Sequence, residues 1–209
     1  MFHSLLLVTC LLTGVEDGGK TPNELLDRAQ KAVLKRDARE LRACFRVNDK
    51  KRENLVVRLA LFSRDMNELS KVARKKFGEQ ALAESLGRAG LMLGMMGGPF
   101  HLLNVDLDKV TIEKDGDEAS VTHGSKKGAS FVSVRASMRV HQSKGRWYLG
   151  PKKQDRLPKG MKKRLKAAEI FVKAARSAVK SSKDGASLKK KLKPVIGKFE
   201  KAMSRVPRR

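Results

Sequence analysis

The sequence predicts an α+β protein in which N-terminal helices pack on a curved antiparallel sheet of about four strands, followed by two basic C-terminal helices. Three observations lead to this prediction. Through the first half of the chain, apolar residues recur every three or four positions, as in amphipathic helices. From Val105 onward the period changes to two, which is typical of strands. After residue 158 helical spacing returns, now with a large excess of lysine.

The first two helices are predicted from their start signals. The run Thr21-Pro22-Asn23-Glu24 has a capping hydroxyl, a proline and an acid in the order that begins a helix. Asp37 and Glu40 repeat that signal and begin a shorter helix that extends through Phe45. Together these two segments predict a helical hairpin.

The longest helix is predicted from a single apolar stripe about six turns long. The stripe consists of Leu55, Leu59, Phe62, Met66, Leu69, Ala73 and Phe77. Gly78 ends this helix, and a further helix covers roughly residues 79–86.

Residues 87–99 combine glycine with methionine, which suggests an adaptable hinge or the lining of a cavity. The simpler interpretation is a flexible connector between a helical half and a sheet half.

The sheet is predicted as an antiparallel meander. Strands at 109–114 and 119–121 flank Asp115-Gly116, a strong hairpin signal. The clearest alternation spans 131–141, and a last strand carries Trp147 and Leu149.

One face of the strand at 131–141 contains a candidate site for an anionic ligand. Arg135 and Arg139 lie on the face opposite the valines, about 13 Å apart. With Tyr148 on the neighbouring strand, their guanidinium groups match a carboxylate or phosphate. The alternative is a solvated outer face of the sheet.

Charge is concentrated in the C-terminal third. Residues 151–209 hold 21 Lys+Arg against 4 Asp+Glu, a net charge of +17 out of +25 for the chain. Residues 158–181 predict a basic amphipathic helix, and a last helix runs from Leu188 until Pro194 breaks or restarts it.

This basic segment predicts binding to polyanions by charge and counterion release: envelope polysaccharide, anionic lipid or nucleic acid. In the alternative, the lysines only solvate the helices. The predicted contact residues are Lys162, Lys163, Lys166, Lys173, Arg176, Lys180, Lys189, Lys190, Lys191 and Lys193.

The N-terminal residues 1–19 resemble a secretory signal peptide, although no basic residue precedes the apolar run Leu5–Leu12. A lipidated Cys10 and an ordinary N-terminal segment are the alternatives. A cleaved leader places the protein outside the cytoplasm, in the periplasm, in the envelope or secreted; an uncleaved one leaves it cytoplasmic. Cleavage also leaves Cys44 as the single cysteine, predicted to be a small buried hydrophobe.

Motifs for chemistry are absent from the sequence. The four histidines are scattered, with no cysteine pair at metal spacing, and neither a phosphate-binding loop nor a nucleophile elbow occurs. No metal or cofactor is therefore predicted, and the sequence leans against an enzyme. Aromatic residues make up 5% of the chain, which disfavours a site that stacks single-stranded bases.

The order of helical hairpin, long helix, connector and antiparallel sheet resembles the NTF2-like superfamily of cone-shaped α+β proteins, in particular secreted bacterial members of unassigned function. The stretches that carry the resemblance are KRDARELRACF, ARKKFGEQAL, VTIEKDGDEASVT and KGRWYL. The resemblance implies an NTF2-like domain over residues 20–150 and a basic helical extension over residues 151–209.

Enzymes of that superfamily use an acid or base inside the cone. Candidates for that role here are Asp106, Asp108, His101, His123, His141 and Tyr148. None lies in a pattern that transfers a catalytic role. The function we expect is therefore a non-enzymatic, extracytoplasmic binding or scaffold protein with a polyanion-binding C-terminus. The alternatives are a small-molecule pocket protein, with or without isomerase or lyase chemistry in the cone, and a nucleic-acid-binding protein with a basic tail.

Overall fold

The computed structural model describes residues 17–47, 49–123, 137–150 and 160–205, and over these ranges it confirms the α+β fold. The helices are α1 (Pro22–Lys35), α2 (Ala38–Ala43), α3 (Lys50–Phe77), α4 (Glu79–Gly97), α5 (Met161–Ser181) and α6 (Gly185–Ser204). The strands are β1 (Val110–Asp115), β2 (Glu118–His123), β3 (Ser137–Ser143) and β4 (Arg146–Leu149). Two short 3₁₀ helices, Gly98–Asn104 and Leu107–Lys109, connect α4 to β1.

The predicted helix starts are confirmed at their caps. The Thr21 hydroxyl accepts a hydrogen bond from the Glu24 backbone N–H at 3.2 Å. The Asp37 carboxylate accepts from the backbone N–H groups of Arg39 and Glu40, each at 3.0 Å. These contacts satisfy donors that the first turn of a helix leaves without an intrahelical partner.

The predicted connector at residues 87–99 is wrong for most of its length. Helix α4 continues to Gly97 across a kink at Gly87, whose φ of +47° is readily adopted only by glycine. Ala89 and Leu93, both buried, pack against the other helices beyond the kink. This packing stabilises the segment as a helix although its glycines disfavour one.

The sheet is the predicted antiparallel meander, with strand order β1-β2-β3-β4. Val121 lies opposite Ile112 on one side and Met138 on the other, and Val140 lies opposite Leu149. This register puts the apolar residues on the face that the helices cover. Residues 131–136 of the predicted third strand lie outside the described residues.

The core has two clusters that share helix α3. The first joins α1 and α2 to the inner face of the sheet, and the second joins α3 and α4 to α5 and α6. From α3, Val57 and Ala60 belong to the first cluster, whereas Leu59 and Phe62 belong to the second. The C-terminal helices therefore bury apolar surface that α3 and α4 leave uncovered.

Helix α6 differs from its prediction at both the start and the proline. It begins at Gly185 because Asp184 and Ser187 form a reciprocal capping box. Pro194 is exposed and lies inside the helix instead of ending it. Leu192 and Phe199 are buried on either side of the proline, and their packing offsets its cost.

The predicted leader ends on residues that contact the fold. The Gly18 N–H donates to the Ala43 carbonyl at 2.8 Å, and Gly19 exchanges two hydrogen bonds with Trp147. Residues 1–16 lie outside the described residues. Among the described helices, none has the length and apolar character needed to span a membrane.

Candidate polyanion surface and methionine cavity

Eight of the predicted contact residues are exposed lysines on helices α5 and α6 without a partner among the described residues, and we call these eight the lysine surface. They are Lys162, Lys163, Lys166, Lys173, Lys180, Lys189, Lys190 and Lys193. Within the described part of the chain, none of their ammonium groups has a hydrogen-bond or ion-pair partner. Their charges are therefore available to an external anion.

Helix periodicity aligns part of this surface. Lys166, Lys173 and Lys180 are seven residues apart and share one face of α5, at intervals of about 10 Å along its axis. Two of the three acids between residues 160 and 205 are engaged in contacts of the fold. Glu169 is paired with Arg58 of α3 at 3.1 and 2.5 Å, and Asp184 caps α6.

Two of the ten predicted contact residues bind other parts of the protein. Arg176 donates to the carboxylates of Asp65 at 2.8 Å and Glu68 at 3.3 Å, and thereby connects α5 to α3. Lys191 donates to the carbonyl of Ser181 at 2.6 Å and to its hydroxyl at 2.9 Å, at the C-terminal end of α5. Both contacts stabilise the fold and leave less charge for a ligand.

The residues of the candidate anion site on the sheet differ in their exposure to solvent. Arg139 is exposed, opposite Ser120 of β2, whereas Tyr148 is only 8% exposed. The guanidinium of Arg46 lies 5.7 Å from the centre of the Tyr148 ring and covers it. Arg135 lies outside the described residues.

Among the six acid–base candidates, His101 and Asp106 form local hydrogen bonds. His101 is within hydrogen-bond distance of Ser63 Oγ at 3.3 Å and the Gly94 carbonyl at 3.0 Å. The Asp106 carboxylate accepts from the Asp108 backbone N–H, which, with Lys109 nearby, lowers the pKa of Asp106.

Two of these candidates are brought together on adjacent strands. His141 lies opposite Tyr148 in the register, with the two ring centres 5.9 Å apart. His141 Nδ1 is 2.8 Å from the Gly150 carbonyl, which orients the ring toward the backbone. Among the residues that the structure describes, His141 forms no hydrogen bond with a carboxylate, so this arrangement is one of packing.

Cys44 is buried, as its helical neighbours predicted. Burial is the main cause that raises the pKa of its thiol to about 12, with a smaller contribution from Glu40. The thiol contacts the Glu40 carbonyl at 3.4 Å. A neutral thiol at physiological pH is a poor nucleophile, so this cysteine acts as a core residue.

Sequence reasoning did not place the cavity that the helical half contains. This methionine cavity has a volume of about 680 Å³ and lies between α4, the start of α5 and the end of α6. It is lined by Arg88, Met92, Met95, Met96, Met161, Arg164, Glu200, Met203 and Ser204. The sequence feature that indicated it is the methionine-rich stretch near Met95, and a cavity lining was one of the interpretations of that stretch.

Over the ranges that the structure describes, no group of three or more His, Cys, Asp or Glu side chains is arranged to hold a metal ion. Comparison of the chain with protein-family models, with curated proteins and with solved structures gave no match. The lysine surface and the methionine cavity are the candidate functional sites of the described residues.

Proposed function

We propose that this is a non-enzymatic, extracytoplasmic binding protein of NTF2-like type whose lysine surface binds an acidic polysaccharide. The observation that carries the proposal is the set of eight exposed lysines on α5 and α6, whose ammonium groups have no partner among the described residues. Lysine ammonium groups bind polyanions as point charges, without a demanding geometry.

The packing of α5 and α6 supports a rigid surface. Leu165 and Phe171 of α5 and Leu188 of α6 are buried in the same cluster as Phe62 of α3. Lysines on helices anchored in this way keep their spacing when a ligand binds, which lowers the entropic cost of binding.

The NTF2-like assignment and the cleaved leader belong to the same proposal. A four-stranded antiparallel meander covered on one face by helices agrees with the superfamily's architecture. Because Gly18 and Gly19 contact the fold, cleavage before Asp17 preserves those contacts and is the processing that we expect.

Enzymatic chemistry inside the sheet layer is the weaker alternative. The inner face of the described strands presents Ala119, Val121, Met138, Val140 and Trp147 to the core. These side chains supply no acid, base or nucleophile, so we favour a binding function over isomerase or lyase activity.

The test is a salt series of heparin affinity with matched charge variants. Deleting α5 and α6 would expose the core of α3 and α4, so neutralising substitutions are the better probe. One variant carries Lys166→Gln, Lys173→Gln and Lys180→Gln, and a second carries Lys189→Gln, Lys190→Gln and Lys193→Gln. The control carries Lys35→Gln, Lys50→Gln and Lys51→Gln, an equal loss of exposed charge on α1 and α3.

We expect heparin binding to the unaltered protein to weaken steeply with salt, and both test variants to bind more weakly than the control. If all three triple variants bind equally, the effect is one of net charge and the lysine surface is not a site.

Duplex DNA and anionic vesicles are run in parallel. If DNA binds more tightly than heparin, with a salt slope that falls by about one for each lysine removed, the nucleic-acid alternative replaces the proposal.

A further inference from the structure

The methionine cavity is built from three separated parts of the chain that converge on one space. Met92 and Met96 are four residues apart on one face of α4, Met161 is the first residue of α5, and Met203 lies in the last turn of α6. With Met95, five of the chain's eight methionines line this cavity. Its volume of about 680 Å³ falls within the range typical of small-molecule sites.

Methionine is well suited to an apolar ligand of variable shape. Its unbranched side chain has several rotatable bonds and a polarisable sulfur, and it adapts to irregular surfaces. Met95 is 71% exposed and Leu91 on the preceding turn is 49% exposed, so apolar surface continues from the cavity to the outside. Exposed apolar residues clustered at a cavity are typical of a binding site.

Charged groups at the cavity favour an anion over a cation. Arg88 lies four residues before Met92 on the same face of α4, and Arg164 follows Met161 on the first turn of α5. Glu200 is the single acid in the lining. Among the described residues, the side chain of Arg88 forms no ion pair, so Glu200 does not neutralise it. A guanidinium next to apolar surface matches a carboxylate or phosphate attached to an alkyl chain.

We propose that the methionine cavity binds a single-chain amphiphile with an anionic head group, the alkyl chain against the methionines and the head group at Arg88. This site is separate from the lysine surface and does not depend on it. The head group is a carboxylate or a phosphate, as in a long-chain fatty acid or a lysophospholipid, and the experiment distinguishes the two.

The experiment measures binding of the fluorescent probe 11-(dansylamino)undecanoate to the full chain, followed by displacement with twelve-carbon compounds below their micelle concentrations. Laurate and dodecyl phosphate have anionic heads, dodecyl maltoside has a neutral head, and dodecyltrimethylammonium has a cationic head. We expect probe binding below about 100 µM and displacement by one or both anionic compounds only. The stronger of the two identifies the head group.

Two exposed positions give variants that leave the core intact. Arg88→Glu reverses the charge at the rim, and Met95→Glu places a carboxylate in the apolar lining. We expect each to weaken probe binding about tenfold or more, with an unchanged thermal midpoint. The matched controls are Arg39→Glu, an equal reversal on α2, and the triple variant at Lys189, Lys190 and Lys193; both should bind as the unaltered protein does.

The proposal is overturned if the probe does not bind, or if the maltoside or the trimethylammonium compound displaces it as well as laurate does. It is also overturned if Arg88→Glu binds as Arg39→Glu does. Loss of probe binding in the lysine triple variant alone would show that the probe uses the lysine surface, and would likewise reject the cavity as its site.

Discussion

Replacement of Phe171 by alanine tests whether the C-terminal helices are an integral part of the fold. Phe171 is 1% exposed and belongs to the second core cluster, and its ring centre is 5.2 Å from that of Phe199 on α6. Removal of such a ring costs the lost transfer free energy and leaves a cavity, together about 3–5 kcal/mol. If the free energy of unfolding falls by about 2 kcal/mol per molar urea, the urea concentration at the unfolding midpoint falls by about 1.5–2.5 M.

The assay uses two probes, one that follows all the helices and one that follows a side chain of the sheet. Far-ultraviolet circular dichroism follows the helices, and fluorescence follows Trp147, the single tryptophan, which lies buried on β4 in the first cluster. Because α3 contributes to both clusters, we expect both probes to shift together in Phe171→Ala. The control is Ile170→Ala at the adjacent position, which is 61% exposed and should change stability by less than about 0.5 kcal/mol.

Two results would refute this reasoning. If Phe171→Ala destabilises by less than about 1 kcal/mol, the packing of α5 against α3 contributes little to stability. If the circular dichroism midpoint falls while the Trp147 midpoint stays, the two clusters unfold independently, and the basic segment behaves as a separate unit.

Three further predictions concern single side chains. Because burial raises the pKa of Cys44 to about 12, Ellman's reagent at pH 8 should react slowly with the native thiol and rapidly in urea. The measurement uses Cys10→Ser, in which Cys44 is the single cysteine, and fast native labelling would contradict its burial. Arg176→Ala removes the partly exposed ion pairs with Asp65 and Glu68, so we expect a loss of about 1 kcal/mol or less in low salt, and a smaller loss in about 1 M NaCl. Asp184→Ala removes the capping box of α6 and should lower the thermal midpoint. Asp184→Asn keeps a capping oxygen and should lower the thermal midpoint much less.

The Asp184 prediction has a defined pH dependence. Hydrogen bonds from the Ser187 backbone and side chain lower the pKa of Asp184 in the folded protein. Its ionised form therefore stabilises the fold above the unfolded pKa of about 4, and this contribution is lost as the pH falls through the folded value. In thermal scans, the midpoint of the unaltered protein should exceed that of Asp184→Asn by less and less as the pH falls from about 4 through the folded pKa of Asp184. A difference in midpoint that grows on acidification would contradict the capping role of the ionised Asp184.

Local signals in the sequence predicted most of the secondary structure. Thr21 and Asp37 cap the helices they were predicted to cap, and Gly78 ends α3. The first hairpin lies one residue from its predicted turn: the loop is Gly116-Asp117, because Asp115 pairs with Glu118 in the ladder. These features depend on a few neighbouring residues and on backbone preferences, so a local pattern is sufficient.

Predictions failed where packing between distant segments overrides local preference. Glycine content indicated a connector at residues 87–99, but burial of Ala89 and Leu93 keeps that segment helical. Pro194 predicted a break, yet the capping box and the buried face of α6 maintain the helix around it. In both cases tertiary contacts supply more free energy than the local preference costs.

The sequence by itself determined the fold class, the location of the first hairpin and the concentration of positive charge near the C-terminus, because composition and short-range periodicity encode them. Tertiary structure alone decided which of those charges face solvent. It pairs Arg176 with Asp65, 111 residues away, and leaves Lys166, Lys173 and Lys180 exposed. It also brings Met92 together with Met161 and Met203 around one cavity. Side chains so far apart in sequence meet only because burial of the two core clusters fixes how the helices pack, which no local pattern specifies.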